Sequence, residues 1–447
     1  MVRSESTHSS KIDKCLTNIN DTIIVPAIKI HTMLITHIKR GKLVVKRENV
    51  NSRDLDKEIE FSPKFMTTSI SKIIKTDVDM VESLTINVFE VDYTVKIYST
   101  PSGRKTANNS CVEKLSYALA ITVAMSKFCD WDLTGKEVTI NMFDIDKPKK
   151  FDMDGDIITP EQVNSAYTIP CRFLDEDPNL KLEIVIFRRE ECLKVLFHEL
   201  MHLYSYDIGT GTYDTKRINE RLARIFGIKC NYIITEAYSE FWARILWSMW
   251  KVHMFPRNTR TQNFKHEIKN EFKNEIEKQK EWSIYQGLHV LINMGLTRNV
   301  FEHLLCKYGR TNELSNRSMK FLDELFDNVS KTKSQTCNEN TATFSYYVIC
   351  GIMMSNWEKT LHWCCQTNGL MNAANAKSNK KYGNHGVTDA IHKFDDTFKT
   401  KQSFITLISE LSINKDTLMM LVNTFQKMKN KQNTLQGVSV SARMTSP

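Results

Sequence analysis

His198-Glu199-Leu200-Met201-His202 lies within a pattern typical of a helix, which runs from Glu190 to about Tyr206. On a helix, positions i and i+4 share a face, so the two histidines can direct their imidazoles at one ion. Glu199 lies about 100° round the helix, close enough to reach a water on that ion without binding the ion itself. This is the HExxH signature of a zinc hydrolase, and neutral imidazoles suit Zn²⁺.

The opposite side of this helix is apolar, which predicts one face in the core and the other turned toward a cleft. The residues of the apolar stripe are Leu193, Leu196, Phe197, Leu200, Leu203 and Tyr204. An amphipathic helix with two solvent-facing histidines is the alternative. Leu182–Phe187, directly upstream, is typical of a strand, and this setting favours the metal site.

A second helical pattern, about Tyr232–Val252, supplies the best candidate for a third ligand. Glu236 and Glu240 are again spaced i and i+4. We predict that Glu236 completes the ligand set, and that Glu240 accepts a hydrogen bond from the far nitrogen of a ligand histidine. The alternative is a solvent-facing acidic pair balanced by Arg244, but this helix is largely apolar, and buried carboxylates need a partner or a metal. Two rival third ligands remain, Asp207 and Glu220.

Composition is that of an ordinary globular chain. It has 447 residues, 41% hydrophobic and 25% charged, with a net charge of +9 spread along the sequence, which predicts a solvated surface. A basic stretch at 39–47 has no aromatic platform beside it, so a nucleic-acid partner is not expected. No stretch is apolar enough for a signal peptide or a membrane span, which predicts an intracellular, cytoplasmic protein without a membrane partner.

The 11 cysteines are scattered without a framework. In a chain of this size that pattern predicts free buried thiols rather than disulfides. The adjacent pair Cys364-Cys365 is given no functional role, because neighbouring cysteines rarely bridge without strain.

The order of patterns predicts an α+β fold, with a mixed N-terminal half, the motif helix at the junction and a helical C-terminal half. Strands are expected at Thr22–Ile30, Lys42–Lys46, Leu84–Tyr98, Val138–Phe143, Val163–Ile169 and Leu182–Phe187. The predicted divisions are a disordered N-terminus (1–20), a β-rich region (21–110), a core with the motif helix (111–260), a helical subdomain (261–428) and a flexible tail (429–447).

The two motifs together, His198-Glu-x-x-His202 and Glu236-Ala-Tyr-Ser-Glu240, resemble the gluzincin pattern of thermolysin-like and clostridial-neurotoxin-like zinc metallopeptidases. In those enzymes the first motif supplies two ligands and the base. A downstream glutamate is the third ligand, and an acid four residues later supports a histidine. The resemblance implies a zincin-like fold for residues 111–260, one Zn²⁺ per chain, and a protein or peptide substrate.

A wider stretch, about residues 160–250, is similar to uncharacterised zincin-like proteins of large DNA viruses. Three runs carry this similarity, Val163–Thr168, Glu183–Arg188 and Thr235–Trp242, with a weaker echo at Phe344–Tyr347. Residues 1–110 show no resemblance. The viral similarity implies a location in the host cytoplasm or the virion.

The gluzincin resemblance also implies substrate-binding and oxyanion-stabilising residues. Metallopeptidases of this type bind substrate as an added strand, and Asn164 to Thr168, with Asn164 and Ala166 foremost, can supply that edge. An ordinary strand or turn is the equal alternative. Tyr346 or Tyr347 is expected to stabilise the oxyanion, the alternative being core tyrosines. The rivals for that role are His253, His289 and His303.

The sequence therefore predicts a zinc metallopeptidase in which His198, His202 and Glu236 hold Zn²⁺ and Glu199 is the base. A non-enzymatic viral structural or host-interaction protein on a zincin-derived scaffold is the alternative, with the metal stabilising the fold. A metal hydrolase acting on some other bond is a third, weaker hypothesis.

Overall fold

A mixed sheet with helices against both faces forms the centre of the molecule, which confirms the α+β prediction. The computed structural model describes residues 2–51, 55, 65–101, 110–129, 131–151, 158–208, 215–254, 264–294, 296, 300, 337, 339, 341–367, 398–412, 420, 423–424 and 440–441. None of the helices in these ranges is long and apolar enough to cross a membrane.

The main sheet has six strands in the order β1-β2-β3-β4-β7-β6. Its strands are β1 (Lys46–Asn49), β2 (Met80–Val88), β3 (Val91–Ser99), β4 (Glu137–Phe143), β6 (Ala166–Thr168) and β7 (Leu182–Ile186); a separate antiparallel pair joins β5 (Lys150–Phe151) to β8 (Val440–Ser441). Strands β3, β4 and β7 are parallel neighbours, and the other pairings are antiparallel. Strand β6 therefore lies at one edge.

Helical segments surround this sheet. The α-helices are α1 (Val2–Ile19), α2 (Val25–Lys39), α3 (Thr68–Asp77), α4 (Ser110–Ser126), α5 (Pro160–Val163), α6 (Cys192–Leu203), α7 (Thr215–Phe226), α8 (Ile234–Met254), α9 (Phe264–Asn293), α10 (Cys350–Ser355), α11 (Trp357–Thr367) and α12 (Phe398–Ser412). Two π-helical segments interrupt them, Asn20–Ile24 between α1 and α2, and Phe344–Ile349 before α10.

The central strands bury both faces, as their nearly continuous apolar sequences require. In β7, Leu182, Ile184 and Ile186 pack into the main core, while Val185 and the following Phe187 pack into a smaller core beneath α3. This alternation is the two-residue period of a strand. Helix α6 begins soon after β7 and packs against it, so the sheet fixes where the HExxH motif lies.

The hairpin predicted at Leu84–Tyr98 is confirmed as β2 and β3. Its two-residue turn, Phe89-Glu90, has φ angles of 52° and 62°. Two positive φ values match the right-handed twist of the strands, although glycine and asparagine are the usual residues there. The strands predicted at Val138–Phe143 and Leu182–Phe187 are also present as β4 and β7.

Several predictions for the N-terminal part are wrong. Residues 1–20 were expected to be disordered, but α1 spans most of them and buries Ile12 and Cys15 in the main core. The strand expected at Thr22–Ile30 is helical, because burying Ile23 and Ile24 in the core outweighs the weak preference of β-branched residues for strands. Only the last residue of the strand expected at Lys42–Lys46 belongs to one, at the start of β1.

Most of the described residues after 261 are helical, as predicted. The strand predicted at Val163–Ile169 is shorter in the structure, where it forms β6. Residues 429–447 are predicted to be a flexible tail, but Val440–Ser441 within them forms a strand that pairs with β5. The main core is continuous from Ile12 to Leu411, so hydrophobic packing crosses the predicted divisions.

The prediction of free thiols is wrong for two pairs of cysteines. Disulfides join Cys15 to Cys365 and Cys230 to Cys337, across 350 and 107 residues of sequence. Separations this long are invisible to spacing rules, because only the fold brings the partners together. Six other cysteines in the described part of the chain are free, as expected: Cys111, Cys129, Cys171, Cys192, Cys350 and Cys364. Cys306 lies outside the described residues.

Candidate metal centre

Helix α6 buries its apolar stripe as predicted, with Leu196, Phe197 and Leu200 fully inaccessible to solvent. The helix ends in a Schellman motif, in which the Ser205 amide donates to the His202 carbonyl and the Tyr206 amide donates to the Met201 carbonyl. Ser205 has a φ of 55°, a left-handed conformation more usual for glycine. This tight reversal returns the chain toward the helix end.

Three side-chain atoms from α6 and α8 converge on one point. The Nε2 atoms of His198 and His202 are 3.1 Å apart, and Oε2 of Glu236 lies 3.2 Å from the first and 3.3 Å from the second. Four ligands arranged tetrahedrally at zinc bond lengths of 2.0–2.1 Å are separated by about 3.3 Å. The three atoms therefore have the separations of a zinc ligand set, which leaves a fourth position open.

The other nitrogen of each histidine faces a carboxylate. Nδ1 of His202 lies 2.7 Å from Oδ2 of Asp207, and Nδ1 of His198 lies 3.3 Å from Oε2 of Glu240. A carboxylate at Nδ1 favours the tautomer with the proton on that nitrogen, which leaves the Nε2 lone pair for a metal. The donor chemistry and the spacing both fit Zn²⁺.

Asp207 is placed as a partner of a histidine rather than as a third ligand. The Schellman turn brings its carboxylate to the far side of the His202 ring, and Arg172 Nη1 lies 2.9 Å from its Oδ1. The other rival, Glu220, is exposed on α7. Both rival third ligands thus lie outside the cluster of three atoms.

Glu240 is held by two buried cations as well as by its contact with His198. Lys194 Nζ forms an ion pair with its Oε2, and Arg244 Nε donates to its Oε1 at 2.9 Å. Burial alone would raise the pKa of Glu240, but Lys194 and Arg244 outweigh that effect and hold the pKa well below its usual range. The carboxylate is therefore charged and fixed in orientation. The alternative of a solvent-facing acidic pair is wrong, since Glu240 is fully buried.

Glu199 and the three converging atoms open into a cleft of about 720 Å³. Burial raises the pKa of Glu199, and the nearby His198 and His202 lower it less than burial raises it. A carboxylate with a raised pKa in a cleft, beside a candidate metal centre, has the character of a general base.

The residues 163–168 line one side of this cleft. Within them β6 pairs with β7 through one edge, and its other edge has no strand partner in the described part of the chain. Ala166 is the first residue of that strand. The side chain of Asn164 binds neighbouring segments, since its Nδ2 donates to the Phe65 carbonyl at 3.3 Å and its Oδ1 accepts from Thr341 Oγ1 at 3.0 Å.

Arg188, which follows β7, anchors this edge from behind. Its buried guanidinium donates through Nε to the carbonyl of Asn164 at 2.8 Å and through Nη1 to the carbonyl of Lys147 at 2.6 Å, and a third bond reaches Glu161. Five donors in a rigid fork let one arginine hold several carbonyls at once. The position of the β6 edge is thereby tied to the sheet.

Tyr346 and Tyr347, both expected near the site, are separated by the structure. Tyr346 lines the cleft, and its ring centroid lies 5.5 Å from that of His198. Tyr347 points into the core with 1% of its surface exposed. Burial raises the pKa of Tyr346 well above its usual range, and the charges of Glu236 and Glu199 add to the effect, so its hydroxyl keeps its proton.

The three rival histidines do not reach the cleft or fall outside the described residues. His253 contacts Asn20 at 2.6 Å, and His289 is buried beside Tyr285. His303 lies outside the part of the chain that the structure describes.

Sequence reasoning missed four residues that shape the site: Asp207 in its actual role, Lys194, Arg172 and Arg188. Lys194 carried a usable signal, because it lies one turn before His198 on a helix whose neighbours are apolar, and a buried lysine needs a carboxylate. Arg188 carried none, since its partners are backbone carbonyls from distant loops.

Comparison with protein-family models, with curated proteins and with solved structures gave no match to this chain.

Proposed function

We propose that this chain is a zincin-like, zinc-dependent peptidase that hydrolyses peptide bonds in the cleft beside α6. The observation that carries the proposal is the separation of 3.1 to 3.3 Å among Nε2 of His198, Nε2 of His202 and Oε2 of Glu236, which matches tetrahedral zinc. Two imidazole nitrogens 3.1 Å apart repel each other unless a proton or a cation lies between them, and Zn²⁺ fits the spacing of all three atoms.

The edge of β6 supports a peptide as the substrate. An extended peptide can add to a free strand edge through its own backbone N–H and C=O groups, without regard to sequence. Arg188 holds this edge to the sheet, and Asn164 fastens its start to Phe65 and Thr341. The scissile carbonyl of a peptide bound there would lie in the same cleft as Glu199.

Zn²⁺ bound by the three ligands supplies a Lewis acid that polarises the scissile carbonyl and makes water a better nucleophile. Glu199 accepts a proton from the attacking water and passes it to the leaving amine nitrogen. The protonated hydroxyl of Tyr346 donates a hydrogen bond to the oxyanion of the tetrahedral intermediate. Asp207 and Glu240 keep the two imidazoles oriented.

The test is Glu199→Gln in the full chain, assayed with a mixture of fluorogenic random peptides and with labelled casein. We expect zinc content to stay unchanged and hydrolysis to fall by about 10²-fold or more, because the amide cannot accept the proton. Zinc should be measured by mass spectrometry in the same preparation. His198→Ala should remove about one Zn²⁺ per chain.

Glu220→Gln is the matched control, since Glu220 is exposed on α7 and the substitution is the same. It should leave both zinc content and hydrolysis unchanged. Equal hydrolysis by wild type and Glu199→Gln, together with unfolding of His198→Ala, would instead identify the cluster as a structural metal site in a non-enzymatic protein.

A further inference from the structure

A second group of metal-binding side chains lies at the rim of the same cleft. The two sulfur atoms of Cys230 and Cys337 and a carboxylate oxygen of Glu339 all lie within 4.8 Å of one another. Cys230 is in the loop before α8, whereas the other two residues come just before the π-helical segment that carries Tyr346. Glu339 itself lines the cleft.

We propose that Cys230, Cys337 and Glu339 form a second zinc site, which binds Zn²⁺ when both thiols are reduced and releases it when they form the disulfide. Two thiolates and one carboxylate are ligands that Zn²⁺ accepts, with a fourth position left for water. This site shares no residue with the proposed catalytic centre and does not depend on the peptidase proposal.

Backbone and side-chain contacts hold the three ligands together independently of the disulfide. The Cys337 amide donates to the Lys229 carbonyl at 2.9 Å, next to Cys230. Glu339 forms a β-bridge with Ile158, and its Oε2 accepts the Phe344 amide at 2.8 Å. Reduction of the disulfide therefore leaves the two thiols adjacent, and a carboxylate has a second oxygen available to a metal.

Glu339 has the surroundings of a ligand that lacks its cation. No lysine, arginine or histidine of the described chain forms an ion pair with it. A disulfide needs no carboxylate beside it, whereas a dication stabilises one.

The two thiolates each give up one electron to form the S–S bond and release Zn²⁺. An azo oxidant such as diamide accepts these two electrons from the thiolates, takes up two protons from water and becomes a hydrazine. A reducing agent reverses the sulfur chemistry and restores both thiolate ligands.

The test is zinc content per chain, measured by mass spectrometry on full-length protein reduced with a phosphine and equilibrated with zinc chloride. We expect about two Zn²⁺ per chain in the reduced wild type and a loss of about one after diamide. The double variant Cys230→Ser/Cys337→Ser should hold about one whether oxidised or reduced.

Cys15→Ser/Cys365→Ser is the matched control, because this second cysteine pair belongs to no metal-binding group among the described residues. It should keep the zinc content of the wild type. Glu339→Gln retains both thiols and should lower the zinc affinity of the oxidant-sensitive site by more than about tenfold. A loss of about tenfold is usual even for residues that only support a metal ligand.

The inference is overturned if the reduced wild type and Cys230→Ser/Cys337→Ser bind equal amounts of zinc, or if diamide releases none. Failure of the catalytic centre gives a different result. In that case His198→Ala would leave the zinc content unchanged, while the oxidant-sensitive zinc would still disappear with Cys230 and Cys337.

Discussion

Tyr346 and Tyr347 are adjacent in sequence, yet only Tyr346 reaches the cleft. They lie in a π-helical segment, Phe344–Ile349, and such segments often occur at functional sites. Tyr346 is partly exposed beside His198, and Tyr347 is in the core. The pair therefore offers a test of oxyanion stabilisation in which one residue serves as the control for its neighbour.

Tyr346→Phe should lower kcat by about 10²-fold, since loss of a single oxyanion donor has that order of effect. Zinc content should not change, because Tyr346 is not one of the three converging groups. Tyr347→Phe should keep most of the activity and instead lower thermal stability slightly. Steady-state kinetics with the fluorogenic peptide mixture provides the measurement. Equal kinetics for the two variants would exclude Tyr346 from the reaction.

For individual residues, the sequence predicted position best where the spacing along a helix alone determines which side chains share a face. His198 with His202, and Glu236 with Glu240, are i and i+4 pairs, and both pairs lie on the expected faces of their helices. The role of Asp207 was missed because it depends on the left-handed conformation of Ser205. Glycine is the usual residue at such a helix end, so a serine there gives no sign of the turn. The sequence could not predict which of Tyr346 and Tyr347 faces the cleft, because a π-helical segment has no sequence pattern of its own.

Helix α9 packs closely on the segment that carries Tyr346. A Cβ atom added to Gly287 would lie 3.0 Å from the Tyr347 carbonyl oxygen, and one added to Gly351 would lie 3.2 Å from the Ser283 carbonyl oxygen. Each glycine therefore allows one helical backbone to approach another. The π-helical segment is held in place by this contact as well as by its own hydrogen bonds.

Gly287→Ala should destabilise the protein by about 1–2 kcal/mol, because overpacking costs about 1–3 kcal/mol and exceeds the gain of up to about 1 kcal/mol that alanine brings to a helix. Hydrolysis should fall as well, since the contact displaced is the backbone next to Tyr346. Urea denaturation measures the first effect. Gly351→Ala should cost less, and a stabilised Gly287→Ala protein would contradict the close packing described here.

Among the secondary-structure elements, those with a clear period were predicted and those set by distant packing were not. The alternation in Leu84–Tyr98 and the apolar runs of β4 and β7 gave the right strands. Thr22–Ile30 has equally good β-forming residues, but it is helical because its apolar side chains are buried against α4. The intrinsic preference of these residues for a strand is small compared with the free energy gained by burying their apolar side chains.

The stability of the whole molecule should depend on pH through a histidine that does not line the cleft. His289 is 3% exposed, both of its ring nitrogens lack hydrogen-bond partners among the described residues, and burial lowers its pKa to about 4. An unfolded histidine has a pKa of about 6.5, so the unfolded chain takes up this proton first. The contribution of neutral His289 to the free energy of unfolding is therefore intact above about pH 6.5 and is lost as the pH falls toward 4.

We expect the free energy of unfolding to drop by about 2 kcal/mol between pH 7 and pH 5 on account of His289 alone. His289→Gln cannot take up the proton, so this part of the drop should be absent from the variant, whatever its stability at pH 7. Urea denaturation of both proteins at the two pH values provides the comparison. An identical drop in both would show that His289 is not buried in the neutral form.

The N-terminal helix α1 packs against α11, and Cys15 on the former meets Cys365 on the latter across 350 residues of sequence. A ribosome adding about 5–20 residues per second needs roughly 20–70 s to synthesise that interval. Through this delay Ile12, Leu16 and Ile19, which belong to the main core, lack the native surface that α11 provides. The nascent chain thus carries an incompletely buried amphipathic segment for most of its synthesis, which is the kind of segment that chaperones bind.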